Sequence, residues 1–370
     1  MLYFDNAATS WPKAPGVSDA MKYYIDKIGV NINRGVYAPA QEAGLKALTL
    51  REQLAAFFHH PDPDHVIFTS GCTAALNLAL KGFLRPGDHV LVSSLEHNAV
   101  MRPLVQLGVD FDRVPCDKEG FLRLDLIEPL LRPNTRLFVL NHASNVSGSV
   151  QDAEAVGKLC KLHQIALLLD GAQSAGHVPV DFERFGLSAL AVPAHKGLLG
   201  PQGTGLLLCR NGGEPLLRGG TGSDSINQDM PADLPERLEA GTMNVPGFAG
   251  LTEGMWCLLR RGTEDIFRRE HAQLRLAAEG LKKLGLEVFA GEHQAGTLSF
   301  RAGMDCEDAA AALAKQGIAV RAGLHCAPLA HESAGTLDTG TVRISFGIDA
   351  CFAQTRALLQ GVSKGVCRKS

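Results

Sequence analysis

The chain has 370 residues, more than one compact core usually holds, so two domains are expected. Hydrophobic residues make up 45% and charged residues 20%, with a formal net charge of −3, a soluble globular balance that points away from nucleic acid and anionic membranes. The start, Met-Leu-Tyr-Phe-Asp-Asn, lacks a basic and then apolar leader, no apolar run reaches membrane-spanning length, and the nine cysteines stand singly without a Cys-x-x-Cys pair; these features predict a cytoplasmic protein with no disulfide framework and no metal site.

From about residue 65 to 210, apolar runs alternate with helix-like segments. Residues 66–70, 89–94, 136–140, 165–169, 187–192 and 204–208 read as strands apolar on both faces, the pattern of a mainly parallel sheet covered by helices. Residues 152–163 form a crossover helix feeding the strand that ends at Asp170. A large α/β domain over 13–250 follows, with ligands expected at the carboxyl ends of its strands. Residues 212–247, rich in Gly, Pro and Asp, read as loops near that edge. Beyond residue 250 an amphipathic helix at 271–284 precedes strands at 287–290, 297–300, 318–321 and 342–346, interleaved with helices at 307–316 and 352–363. These make a smaller α+β domain, 251–370, joined by the N-terminal segment 1–12.

Six positions carry candidate chemistry. Asp170 ends a buried apolar run, and Lys196 ends the next, before Gly-Leu-Leu-Gly-Pro-Gln-Gly. A lone lysine at a strand end usually snorkels to solvent. With Asp170, Gln173 and His195 in register, it reads instead as a Schiff-base lysine for pyridoxal 5'-phosphate, the carboxylate holding the pyridine nitrogen protonated. Thr73, in Ser70-Gly-Cys-Thr-Ala-Ala-Leu-Asn77, opens a helix after a strand, where backbone N–H groups suit a phosphate. His97 follows another strand end and is placed to stack on the ring and relay protons. Cys326, in Arg321-Ala-Gly-Leu-His-Cys-Ala-Pro328, reads as a reactive thiolate in a mobile, accessible loop beside His325. Arg343 is a charge inside the strand pattern Thr341-Val-Arg-Ile-Ser-Phe346, suited to a substrate carboxylate.

With these residues in order, the chain resembles the class V aminotransferase family, of pyridoxal-phosphate transferase fold type I, and within it the group II cysteine desulfurases. The likeness runs through Tyr3-Phe-Asp-Asn-Ala-Ala-Thr9, Asn33-Arg-Gly-Val-Tyr37, Glu96-His97, Ser144-Asn-Val-Ser-Gly148, Asp170-Gly-Ala-Gln173, His195-Lys196, Glu239-Ala-Gly-Thr-Met-Asn244 and Arg321 to Cys326. It implies a large sheet domain of the seven-stranded type and an enzyme that takes L-cysteine to L-alanine with a persulfide on Cys326. Lys196 and His97 serve with Cys326 in catalysis. By the same resemblance Asp170, Gln173, His97, Asn145, Thr73, Cys72 and His195 would hold the cofactor, with Thr242 reaching in from the other subunit of a homodimer. Arg343, Asn145, Ala8 and the partner subunit's Arg34 meet the substrate. A protein sulfur acceptor is implied as a further partner. Selenocysteine lyase, or a class V aminotransferase or β-lyase, shares the pattern. Pro193, Ala74 and Leu324 depart from it, so phosphate anchoring and proton relay near Cys326 are expected to differ.

Overall fold

The computed structural model describes residues 1–32, 35–223 and 225–367. Helices α1 (Val17–Tyr23) and α2 (Ala38–Phe57) precede a run of seven strands. After the short N-terminal strand β1 (Leu2–Tyr3), these are β2 (Val66–Thr69), β3 (His89–Ser93), β4 (Asp110–Val114), β5 (Thr135–Asn141), β6 (Ala166–Asp170), β7 (Ala189–Pro193) and β8 (Gly205–Cys209). Between them lie α3 (Cys72–Phe83), α4 (Asn98–Leu107) and α5 (Ala153–Leu162).

The seven strands form one sheet in the order β2-β8-β7-β6-β5-β3-β4, parallel except for β8, which runs antiparallel to both neighbours. Side chains alternate between its faces because successive Cβ atoms point to opposite sides of a strand. On β5, Phe138 and Leu140 enter the core under α2 and α5, whereas Leu137 and Val139 pack against α3 and α4. Both faces are therefore buried, as the unbroken apolar runs require. Truncating a side chain such as Phe138, 1% exposed, costs about 3–5 kcal/mol. β4 lies at the edge, and its Asp110, Phe111, Asp112 and Arg113 remain at least partly exposed, which is why it carries no apolar-run signal.

After the long loop at 210–244 come α6 (Val245–Arg261) and α7 (Thr263–Lys283), then β9 (Glu287–Phe289), β10 (Thr297–Arg301), α8 (Cys306–Ala314), β11 (Ile318–Ala319), β12 (Arg321–Gly323), α9 (Pro328–Ser333), β13 (Thr341–Ser345) and α10 (Phe352–Gly365). The division expected near residue 250 falls inside α6, whose Phe248, Leu251, Met255 and Leu258 pack into the large sheet's core. A second core gathers Leu274, Leu281, Phe300, Leu313, Ile344 and Leu358 over the antiparallel sheet β12-β13-β10-β9. The N-terminus joins this second core: β1 pairs in parallel with β11, and Phe4 meets Phe346 edge-on at 5.6 Å. The strand expected at 318–321 is broken in two, β11 pairing with β1 and β12 with β13.

The long loop is tethered rather than free. Glu239 forms a buried ion pair with Arg51 at 2.7 Å and accepts from Phe68 N–H, fixing the loop to β2. Asn244 then caps α6, accepting from Gly247 N–H at 3.0 Å.

Candidate active site

At the carboxyl edge of β5, β6 and β7, where the small domain meets the sheet, lies a cavity of about 420 Å³. Its walls bring together Ala8, Cys72, Thr73, His97, Asn145, Asp170, Gln173, His195, Lys196, Cys326 and Arg343, eleven positions expected from sequence. Thr242 is exposed and outside this wall, and Arg34 lies outside the described residues.

Each side chain is fixed by the element that delivers it. Asp170, 2% exposed, ends β6, and its Oδ1 accepts from Ala172 N–H at 2.9 Å with the Cys72 thiol 3.6 Å away. Burial, then repulsion from Asp170, pushes the Cys72 thiol well up, so it stays protonated and able to donate. Gln173 donates to Ala7 O at 3.0 Å, which draws the N-terminal segment across the cavity. Burial pushes the Lys196 amine down; Cys72 and Asp170 oppose this, and Arg343 and Arg321 reinforce it. A lysine so held is more easily neutral and nucleophilic.

The turn before α3 needs backbones in contact. A Cβ at Gly205 would sit 2.5 Å from Gly71 Cα, so the start of β8 presses directly on the residue opening α3. The α3 N-terminus, with Thr73 on its first turn, faces the cavity from that point. His195 stands opposite, its pKa lowered to about 4 by burial and then by Lys196 and Lys13, so its ring is neutral. Pro193 and Ala74 line the same wall but bring no hydroxyl to it.

His97 caps α4, its Nδ1 accepting from Ala99 N–H at 3.0 Å. That bond places the ring proton on Nε2. Burial pushes its pKa down, against the pull of Asp170, which favours the neutral ring.

The Cys326 loop departs from expectation in two respects. Cys326 is exposed, as read from sequence. His325, however, is 6% exposed and turned away, its Nε2 3.1 Å from Thr341 Oγ1 on β13. Burial, followed by Arg343, pushes its pKa down to about 2, so it supplies no positive charge to the thiol. Nor does the loop hang free. Asn145 Nδ2 donates to His325 O at 2.6 Å, and Asn98 N–H, at the start of α4, donates to Cys326 O at 2.8 Å. These bonds hold His325 and Cys326 at φ 50° and 57°, left-handed conformations that cost non-glycine residues energy unless neighbours enforce them.

Arg343, 3% exposed, donates to Asp5 Oδ1 at 2.9 Å and to Asn145 O at 3.2 Å. Asp5 was given no role by sequence reasoning. Its only signal is its place in Tyr3-Phe-Asp-Asn, 338 positions from its partner. Arg321 and Gln202, also without assigned roles, line the cavity as well.

The model of the aminotransferase class-V family matches residues 2–358. The chain belongs to that family. Its members are pyridoxal-phosphate enzymes. Among similar class V proteins is a probable cysteine desulfurase of Methanothermobacter thermautotrophicus, 34% identical over 361 residues that cover 93% of this chain and 89% of the relative. The apo structure of cysteine desulfurase from Thermococcus onnurineus NA1 superposes with a TM-score of 0.92 at 32% identity, covering 99% of this chain and 94% of that one. The cysteine desulfurase CsdA from Escherichia coli, in its S-sulfonic acid form, gives a TM-score of 0.89 at 29% identity, covering 98% and 94%. The class V fold and its large, mostly parallel sheet are thus as expected from sequence.

Proposed function

We propose that the protein is a pyridoxal-phosphate-dependent cysteine desulfurase that converts L-cysteine to L-alanine and keeps the sulfur as a persulfide on Cys326. One observation carries the reading: an exposed cysteine on a pinned loop opens into the same cavity as a half-buried lysine, a buried aspartate and a buried arginine. The relatives named cysteine desulfurase support it.

The residues fit the cofactor. Asn145 Oδ1 and Arg343 Nε are buried at the cavity wall without a hydrogen-bond partner among the described residues, polar atoms that need a ligand there. The close Gly71–Gly205 contact and the α3 N-terminus form a phosphate cradle, with Cys72, Thr73 and His195 around it. Lys196 would hold the aldehyde carbon, Asp170 the ring nitrogen, and Gln173 and Asn145 the ring oxygen, with His97 against the ring face. When bound, pyridoxal phosphate supplies an electron sink conjugated to the substrate α-carbon.

The chain's own groups supply the rest. Arg343 and Asn145 orient the substrate carboxylate, with Ala8 closing that end of the cavity. Lys196, whose amine burial makes easier to deprotonate, moves the α-proton. Cys326 Sγ attacks the substrate sulfur: the carbon–sulfur bond breaks, a sulfur–sulfur bond forms, and the carbon takes up a proton to become alanine's methyl group. Cysteine and an enzyme thiol give alanine and an enzyme persulfide, with atoms balanced. Exposure of Cys326 supports delivery of that sulfur to a protein acceptor.

A homodimer completes the site in this reading. Thr242 and Arg34 would reach in from the partner subunit. Exposed Leu45 and Leu48 on α2, and Trp256 and Leu259 on α6, support such an interface.

The test is alanine release from L-cysteine and L-selenocysteine by the yellow, cofactor-loaded protein and its Cys326→Ala variant. The reading expects cysteine turnover to fall to background in the variant. Full retention would overturn it, and retained turnover of selenocysteine alone would favour a selenocysteine lyase.

A further inference from the structure

The peptide joining His195 to Lys196 is held by a cluster that the catalytic scheme does not use. Ser10 N–H and Lys13 Nζ each donate to His195 O at 2.9 Å, with the Thr9 and Ser10 hydroxyls 3.1 Å from the same oxygen. The Lys13 ammonium also donates to Thr9 Oγ1 and Ser10 Oγ, both at 3.1 Å, so all three of its protons are spent in the cluster. Thr9 Oγ1 lies 3.2 Å from His195 Nδ1 as well.

The Thr9 hydroxyl joins the two halves of His195. Its oxygen is within hydrogen-bond reach of both the His195 carbonyl and the ring Nδ1, and Nδ1 has no other partner among the described residues. The imidazole it holds lines the cavity.

We propose that Lys13 is a positioning residue for the His195–Lys196 dipeptide, its ammonium fixing the His195 carbonyl directly and the His195 ring through the Thr9 hydroxyl. The neutral amine has only two protons, and its lone pair would face one of the oxygens it now binds. Lys13 is half-buried, and burial lowers its pKa to about 8. The charged and titratable groups around it are His195 and Lys196 on one side. Across the open cleft on the other are Cys257, Arg260 and Arg261 of α6, Asp265 and Arg269 of α7, and Asp349. The arrangement should therefore loosen as pH rises through about 8.

This rests on the cofactor part of the proposed function, and its test is read without substrate. The dissociation constant of pyridoxal phosphate is measured by absorbance between pH 6.5 and 9.5 for wild type, Lys13→Met, Lys13→Arg and Thr9→Val. Lys13→Met should weaken binding about tenfold at neutral pH, the scale of one lost charge-assisted hydrogen bond, and should abolish the alkaline weakening centred near pH 8. Lys13→Arg should restore most of the affinity and shift the weakening to higher pH. Thr9→Val should weaken binding and keep the alkaline limb. A Met variant with wild-type affinity and an unchanged alkaline limb would overturn the proposal. So would an Arg variant no better than Met, or a Thr9→Val variant with wild-type affinity. In turnover, Lys13→Met should lower kcat about tenfold and leave KM within about twofold. Failure of every form to consume cysteine would count against the desulfurase reading and leave the binding test intact.

Discussion

Glu96 offers a prediction whose size follows from its surroundings. The residue is fully buried between β3 and β5, beside the cavity yet not in its wall. Its Oε1 accepts from Ser93 Oγ at 2.6 Å and from Asn141 N–H at 2.7 Å, while Oε2 is buried with no partner among the described residues. Burial raises its pKa from 4.5 to about 8, with Asp170 adding repulsion and the bonds from Ser93 and Asn141 opposing. The carboxyl is therefore neutral in the folded protein at pH 6, where the unfolded chain carries it ionised. The folded form binds a proton that the unfolded form has lost, so stability falls as pH rises from 4.5 towards 8. At 1.36 kcal/mol per pKa unit, the loss is on the order of 5 kcal/mol. Glu96→Gln keeps the acceptor and cannot ionise. In urea unfolding, wild type and variant should be of similar stability near pH 4.5. The variant should then gain several kcal/mol over wild type by pH 8.5. Subtracting the two proteins cancels every other titrating group. A difference that stays constant across this range would refute the burial argument.

His97 combines a cap and a ring, and two substitutions separate them. His97→Asn should keep most of the α4 cap and stay within about 0.5 kcal/mol of wild type, whereas His97→Ala should lose about 1 kcal/mol. Both should lose most activity, because neither offers a ring to the cofactor; equal stabilities, or activity in the Asn variant, would contradict this. Arg343→Lys keeps a charge for Asp5 but loses the planar fork. KM for L-cysteine should rise about 10- to 100-fold in steady-state assays, the value of a charge-assisted pair, and an unchanged KM would remove Arg343 from substrate binding.

Features encoded locally were legible in the sequence. The six apolar strands and the crossover helix at 152–163 appear within a few residues of their expected places, because a strand buried on both faces must be continuously apolar. β4 escaped because it is an edge strand carrying Asp110, Asp112 and Arg113. α2 escaped because it shows no clean stripe: Leu50 and Leu54 are buried while Leu45 and Leu48 are exposed. Asp170, Lys196, Thr73, His97 and Cys326 could be named because each follows a strand end or sits in a turn of unusual composition, and Arg343 because it is a charge inside the apolar strand β13, whereas Ala8, Cys72 and Asn145 came only with the family resemblance. Their partners could not be named. The Asp5–Arg343 pair, the Asn145–His325 tether and the turn of His325 towards Thr341 join positions 338, 180 and 16 residues apart. Adjacency of His325 to Cys326 suggested an activating base, but left-handed φ angles at both residues send the imidazole into the small domain. His325 still lines the cavity, but its Nε2 is engaged by Thr341.

Transfer of one sulfur atom to Cys326 is the central claim. It is tested most directly by mixing the loaded protein with one equivalent of L-cysteine, quenching with a thiol-blocking reagent, and weighing the peptide that contains residue 326. The account predicts an added sulfur atom on Cys326 in the same amount as the alanine formed. Alanine formed with no added sulfur on that peptide would contradict it.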